Sequence, residues 1–113
     1  MAANVQIYID AINAEHRPLY DRLQGLILEG FPDATVSVTY GIPTFKVGKR
    51  RVYLGAWQHG VSVYGWQDNR DGGFTERHPE LLSGKATIRL RPEDAEEISD
   101  DEFRTLIAAT LGE

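Results

Sequence analysis

Residues 34–45, ATVSVTYGIPTF, contain the change of pattern that decides the fold. Val36, Val38 and Tyr40 alternate with small polar residues, and this two-residue period is typical of a half-buried β-strand. Upstream of this segment, apolar residues recur every three or four positions, which is the period of an amphipathic helix. The chain therefore changes here from helices to strands, and this order of elements predicts an α+β fold.

The stretch YGIPTF, at 40–45, combines a glycine, a proline and two aromatic residues within six positions. Gly41 tolerates unusual backbone dihedral angles, and Ile42 is restricted to extended geometry because it precedes Pro43. We therefore predict a rigid bend that brings Phe45 onto the next strand. The alternative is that the same bend forms the lip of a ligand pocket.

The helices that flank the predicted sheet have clear sequence signals. The spacing of apolar residues over 5–12 predicts a first helix, and Pro18 and Gly30 suit the start and the end of a second one. A C-terminal helix is predicted after Ser99, which with Glu102 forms the S-x-x-E pattern of a capping box.

Four further extended runs complete the predicted sheet: TFKV, RVYLGAW, VSVYGW and ATIRL. Glycine-containing turns separate most of these runs, and an antiparallel meander is the simplest arrangement for them. The predicted fold is α+β, with a mostly antiparallel sheet of about five strands. Two N-terminal helices and a C-terminal helix are expected to pack on one face of this sheet.

The composition narrows the class of protein. A chain of 113 residues supports one core, so 1–113 is interpreted as a single domain. The absence of cysteine excludes disulfides, thiolate metal sites and a thiol nucleophile. The formal net charge of −5 argues against a nucleic-acid partner, and no apolar run approaches the roughly 20 residues of a membrane span. Because the N-terminus also lacks the features of a signal peptide, we expect a cytoplasmic protein with no membrane partner.

No catalytic motif was found in the sequence. A G-x-S-x-G nucleophile motif and the common phosphate-binding loops are absent, and the histidines lack the spacing of a zinc site. The expectation is therefore a binding protein with no catalytic residues.

Three segments resemble the YdhG-like family of small bacterial domains of unknown function: YGIPTF at 40–45, LGAWQHGVSVYGW at 54–66 and SGKATIRL at 83–90. The order and spacing of the three segments carry the resemblance, which runs from about residue 5 to residue 111. Ile42 stands where this family usually has methionine, and Leu90 where it usually has phenylalanine. One branch of the family is described as frataxin-like intracellular iron chaperones. The resemblance thus implies the α+β fold and makes iron a candidate ligand.

An iron role would require oxygen ligands, and seven carboxylates lie within residues 93–102. Glu93, Glu97 and Asp101 are spaced four residues apart, so a continuous helix would place them on one face as hard-cation ligands. The alternative is structural: acids after a first-turn proline and after an N-cap at Ser99 offset the positive end of two helix dipoles.

A second candidate site lies in the predicted sheet. Residues 34–67 contain no acidic residue but hold six aromatic residues and four cations. An aromatic surface edged by cations suits an anionic, partly planar ligand, although aromatic residues are also common in ordinary sheet cores. The candidate ligand-binding residues also include His59, which lies in a predicted turn that matches the family's histidine region. Two cations of the third family segment are further candidates. The candidate ligand-binding residues are Tyr40, Pro43, Phe45, His59, Tyr64, Lys85 and Arg89.

The sequence supports two main functional hypotheses, and a more distant third is an enzyme whose active site matches no recognised motif. The first is a non-catalytic cytoplasmic binding protein, similar to the frataxin-like branch, that holds iron loosely through its carboxylates. The second is a module that uses the aromatic, cation-edged sheet face to bind a partner or a small anionic ligand. Neither hypothesis predicts an oligomeric state.

Ser99→Ala should lower the free energy of unfolding by about 1 kcal/mol, because it removes the side-chain acceptor at the start of the C-terminal helix. Thermal unfolding of the variant beside the wild type measures the loss. An unchanged midpoint would contradict the assignment of Ser99 as the N-cap.

Overall fold

The computed structural model describes residues 2–66, 70–84 and 86–112. In chain order, the helices within these ranges are α1 (Ala3–Asp10), α2 (Arg17–Gly30), α3 (Phe74–Arg77), α4 (Pro92–Glu96) and α5 (Asp100–Leu111), with a 3-10 turn at Pro79–Leu81. The strands are β1 (Thr35–Thr39), β2 (Ile42–Val47), β3 (Arg50–Trp57), β4 (Gly60–Tyr64) and β5 (Thr87–Leu90). The predicted α+β class and the predicted positions of the N-terminal and C-terminal helices are confirmed.

The five strands form one antiparallel sheet in the order β1-β2-β3-β4-β5, which confirms the predicted meander. The first connection is a two-residue turn, in which Thr39 pairs with Ile42 and Tyr40 and Gly41 lie between them. Tyr40 has φ +55° and Gly41 has φ +79°. Positive φ at both central residues is the requirement of a type I′ hairpin turn. The predicted bend is therefore a tight turn between β1 and β2.

The helices pack on one face of the sheet, as predicted. On that face, Phe45, Leu54 and Ile88 have no exposed surface, and they belong to one cluster with the apolar stripes of α1, α2 and α5. Burial of each such side chain contributes about 1.5–3 kcal/mol to the free energy of unfolding. The helices therefore pack where they bury this face of the sheet.

The opposite side of the sheet, which we call the outer face, carries the side chains that alternate with this core. Tyr53 and Tyr64 lie directly opposite each other on β3 and β4, and Ser62 lies opposite Arg89 on β4 and β5. The alternation of side chains places the following residues together on the outer face: Thr44, Tyr53, Gly55, Trp57, Ser62, Tyr64, Thr87 and Arg89.

Trp66 departs from the pattern that the sequence suggested. Simple alternation would place Trp66 beside Tyr64, but β4 ends at Tyr64 and Gly65 has φ +108°. This positive φ interrupts the alternation of side chains, and Trp66 is part of the core with only 7% of its surface exposed.

The segment HPELLSG, at residues 78–84, forms one short helical turn and then follows the sheet. Only Pro79–Leu81 form a turn, because Leu82 then pairs with Ile88 of β5 as an isolated bridge and Ser83 donates its backbone N–H to the Thr87 carbonyl. This segment therefore lies along the outer edge of β5.

The start of α5 is capped as predicted, but only half of the predicted capping box forms. The Ser99 hydroxyl accepts a hydrogen bond from the Glu102 backbone N–H at 3.2 Å. The Glu102 carboxylate instead accepts from Arg77 Nε at 3.0 Å, and the same oxygen lies 3.0 Å from His78 Nε2. Glu102 therefore joins α5 to the end of α3 rather than returning to its own cap.

Stability should depend on the ionisation of Glu102. Its contacts with His78 and then Arg77 lower the pKa of this carboxyl below its ordinary value of 4.5. A depressed folded-state pKa contributes stability that is present above pH 4.5 and is lost as the pH falls through the folded-state value. We expect Glu102→Gln to flatten the loss of stability as the pH falls below 4.5, as measured by urea unfolding.

Glu96→Gln is the matched control, because Glu96 is exposed and makes no side-chain hydrogen bond in the described part of the chain. If stability falls as steeply with pH in Glu102→Gln as in the wild type, the contact of Glu102 with His78 and Arg77 contributes no pH-dependent stability.

Candidate ligand-binding site

Two tyrosine rings form the floor of the outer face. The rings of Tyr53 and Tyr64 are 5.5 Å apart between centroids and only 13° from parallel. A methyl group built on Gly55 would lie 3.1 Å from the Tyr64 hydroxyl oxygen, and one built on Gly65 would overlap the Tyr53 ring. The two glycines therefore allow both rings to lie against the sheet backbone. Tyr40 lies beside this floor, with its ring centroid 6.4 Å from that of Tyr53.

A cationic and aromatic cluster lies next to this floor. The Arg89 guanidinium carbon lies 5.0 Å from the centre of the Trp57 ring, within the range of a cation–π contact. His59, in the turn after β3, meets the same ring edge-on at 5.3 Å between centroids. Trp57 thus holds Arg89 on one strand and His59 at the adjoining turn close to one another.

Two cavities on this side of the molecule share Trp57 and Arg89. The first, of about 340 Å³, lies on the outer face and is lined by Ile42, Gly55, Ala56, Trp57, Ser62, Tyr64, Thr87 and Arg89. The second, of about 440 Å³, lies towards the 3-10 turn and is lined by Trp57, Glu80, Leu81, Leu82, Ser83, Arg89, Arg91 and Asp94. The first cavity has Arg89 as its one charged lining residue among those described, whereas the second mixes both signs.

The polar groups of the first cavity are suited to hold an anion. In the described part of the chain, Arg89 makes no ion pair with a carboxylate. Burial, followed by the nearby hydroxyls of Tyr8 and Tyr53, raises the pKa of Tyr64. The Tyr64 hydroxyl therefore stays protonated at neutral pH and remains able to donate a hydrogen bond.

Trp57 Nε1 is a further donor at this place. It is enclosed and has no hydrogen-bond partner among the described residues. A buried donor without a partner costs about 1–3 kcal/mol, and such a group is a common feature of functional sites.

Helix α1 reaches the same region through Tyr8. The Tyr8 hydroxyl accepts a hydrogen bond from the Ala56 backbone N–H at 2.9 Å. Ala56 lies near the end of β3, past the last β3 residue that pairs with β2. Its backbone N–H bonds to the tyrosine hydroxyl there. The contact ties the helix layer to the strand that carries Trp57.

Two of the seven candidate ligand-binding residues, Tyr64 and Arg89, line the first cavity. Tyr40 and His59 lie beside it, in contact with Tyr53 and Trp57 respectively. Phe45 was predicted with them, but it faces the helices and has no exposed surface. Pro43 is buried and shares the face of Phe45, because the two residues are two positions apart on β2. Lys85 lies outside the described residues.

The three candidate metal ligands do not share one helix, because Glu93 lies in α4, Glu97 follows the end of α4, and Asp101 lies in α5. Helix α4 ends at Glu96 and α5 begins at Asp100, so the helical spacing expected between Glu97 and Asp101 does not form. The Asp101 carboxylate instead accepts from Arg104 at 2.8 Å. The described residues contain no group of three or more His, Cys, Asp or Glu side chains arranged to hold one metal ion.

Several acids of the run lie at helix N-termini, where the structural alternative places them. Glu93 and Asp94 lie in the first turn of α4, where the Asp94 carboxylate accepts from the Arg91 backbone N–H at 3.0 Å. Asp100, in the first turn of α5, pairs with Arg22 at 2.6 Å. These carboxylates offset helix dipoles and join elements to one another.

Several lining residues of the first cavity were not among the sequence-based candidates. Trp57, Ser62 and Thr87 lie within the segments 54–66 and 83–90 that carry the family resemblance, but nothing in those segments singles them out as ligand-binding residues. The signal that would find them is alternation along three predicted strands, which places them on the side of Tyr64 once the register between the strands is known.

The comparisons with known proteins return no match. No family model matches the chain, and neither a curated protein nor a solved structure does. The resemblance to the YdhG-like family therefore stays a prediction. Each helix in the described part of the chain is too short or too polar to cross a membrane.

Tyr40→Asn should leave the stability unchanged or raise it by about 0.5–1 kcal/mol, because asparagine adopts the left-handed conformation of a type I′ turn more readily than tyrosine. Only a weak contribution is lost with the ring, since Tyr40 is 88% exposed. Urea unfolding measures the change, and Tyr40→Ala separates the loss of the ring from the gain in the turn. A loss above about 1 kcal/mol in Tyr40→Asn would show that the ring stabilises the fold.

Proposed function

We propose that this chain is a binding protein whose outer face holds a small anionic ligand with a planar part. Arg89 would hold the negative group, and the rings of Tyr64 and Trp57 would contact the planar part. The proposal is for binding without catalysis: the described residues that line the outer-face cavity include no carboxylate and no histidine that could act as a general base. We place this role in the cytoplasm, since a chain without cysteine requires no oxidising compartment.

The observation that carries the proposal is the position of Arg89. Most arginines on the helix side have acidic partners, such as Arg22 with Asp100 and Arg77 with Glu102. Arg89 instead lies over an aromatic ring at the border of a cavity whose described lining residues include no acid. A guanidinium held in this way keeps its donors available for a carboxylate or a phosphate.

The aromatic floor supports a planar ligand rather than a bare inorganic anion. The outer-face cavity of about 340 Å³ is within the range of small-molecule sites, and ring contacts with a planar group add affinity beyond the ion pair. Ser62, which lies opposite Arg89 and lines the same cavity, supplies a hydroxyl that donates or accepts a hydrogen bond.

The iron hypothesis stays a prediction. Its basis is the family resemblance and the density of carboxylates, whereas the geometry of the described residues favours the anion site. A single experiment compares the two.

Thermal unfolding should be measured for the metal-free protein with a panel of aromatic carboxylates and mononucleotides, and with ferrous iron under anaerobic conditions. A ligand at about 100 times its dissociation constant adds about 2.7 kcal/mol to the free energy of unfolding, which is a readily measured shift of the midpoint. We expect a planar anion to stabilise the wild type and Arg89→Gln to lose that shift, because a charge-assisted hydrogen bond contributes about 1.5–3 kcal/mol.

Arg51→Gln is the matched control, since Arg51 lies on the same face of the sheet but does not line the outer-face cavity. It should keep the shift, and Tyr64→Phe should reduce it by removing one donor. A shift with iron alone that disappears in Glu93→Gln/Glu97→Gln/Asp101→Asn would overturn the proposal in favour of iron binding. A shift that Arg51→Gln and Arg89→Gln reduce equally would place the anion elsewhere.

A further inference from the structure

The two edges of the sheet are protected differently. On the β5 side, Leu82 pairs with Ile88 and the segment from the 3-10 turn covers the edge. On the other side, β2 is the one strand that pairs with β1 among the described residues. The sequence of β1, TVSVT, contains none of the lysines or prolines that commonly block an exposed edge. We call the side of β1 that faces away from β2 the β1 edge.

The pairing of β1 with β2 shows which backbone groups the β1 edge presents. Pro43 lacks an N–H, so its pair with Val38 cannot be a hydrogen-bonded pair. Hydrogen-bonded and non-hydrogen-bonded pairs alternate along an antiparallel ladder, so the bonds to β2 are made by Thr35, Ser37 and Thr39. The N–H and C=O groups of Val36 and Val38 therefore point away from β2. The β1 edge thus offers two donors and two acceptors at alternate residues.

The same strand is complementary to itself. TVSVT reads identically in both directions about Ser37. An antiparallel pairing centred on Ser37 places Val36 opposite Val38 of a second copy, and Thr35 opposite Thr39 of that copy. Pairs of β-branched residues and of threonines are favourable across antiparallel strands. Val36 and Val38 are also the residues whose backbone N–H and C=O groups point away from β2. Each of the two valine pairs can therefore exchange two backbone hydrogen bonds, which gives four in total.

Burial on the helix side supports an added strand. Val36 and Val38 are only partly buried, whereas Phe45 and Val52 in the same layer are fully buried. A neighbouring strand would cover the two valines. Charge repulsion does not oppose this pairing. Lys46 is the charged residue opposite β1, where it pairs with Thr35. Two-fold symmetry places the two copies of Lys46 at opposite ends of the paired strands.

We propose that the β1 edge pairs with the β1 edge of a second copy of this chain, antiparallel and about a two-fold axis at Ser37. The two sheets then form one sheet of ten strands. Because the pairing places valine opposite valine, the helix layers of both copies lie on the same side. One strand per copy makes a small contact, so the dimer is weak and its population rises with protein concentration.

The absence of cysteine from the chain permits a direct test by disulfide cross-linking. Directly opposite residues in a non-hydrogen-bonded pair have Cα atoms about 4.5 Å apart, within the range of a disulfide. Ser37→Cys should therefore form a disulfide-linked dimer under mild oxidation. Thr35→Cys is the matched control: its two copies would be four residues apart along the joint, about 14 Å, which is beyond the reach of a disulfide.

We expect Ser37→Cys to give about tenfold more cross-linked dimer than Thr35→Cys at equal concentration, on a non-reducing gel. A mixture of Thr35→Cys and Thr39→Cys should cross-link better than either variant alone, since these two positions face each other. Sedimentation of the wild type should show a dimer fraction that grows up to about 1 mM protein. A wild type that stays monomeric throughout, or equal cross-linking of Ser37→Cys and Thr35→Cys, would overturn the proposal.

Discussion

The two-residue turn at Tyr40 and Gly41 sets the register on which the rest of the structure depends. It places Thr39 opposite Ile42. The alternation of side chains then decides, for each residue of β2, whether it lies on the core face or on the outer face. A shift by a single residue would turn Phe45 out of the core and expose it on the outer face. Each later strand is aligned to the one before it, so this assignment is carried across the sheet to Arg89 on β5.

The outer face is a consequence of that register combined with two glycines. The helices cover the apolar face of the sheet, and the opposite face carries tyrosine, tryptophan and arginine side chains. Gly55 and Gly65 then provide the space in which the Tyr64 and Tyr53 rings lie flat. Without that space the rings would stand away from the sheet, and the cavity beside Arg89 would have a different shape.

Charge has different roles on the two sides of the molecule. Around α4 and α5, carboxylates lie at helix N-termini and contact Arg22, Arg77 and Arg104, so much of the acidic run is engaged in structural contacts. On the outer face, Arg89 has an aromatic contact in place of an acidic one. This contrast is the physical reason to prefer an anion on the sheet over a cation at the helices. Pairing through the β1 edge would extend the sheet sideways and leave both outer faces open on one side, so dimer formation and ligand binding are compatible.

The sequence by itself determined the class of fold, the approximate positions of most helices and strands, and the cap at Ser99. These features depend on local period and on turn and capping residues, which act within a few positions along the chain. The tight turn at Tyr40 and Gly41 was also recognisable as a bend from its glycine and proline. Tertiary structure alone decided that Phe45 faces the core, that Gly65 returns Trp66 to it, and that Glu102 contacts His78 rather than its own cap. It also decided that Trp57, Ser62 and Arg89 share one cavity. Those outcomes depend on strand register and on contacts between residues far apart in the chain, for which local propensity carries no signal.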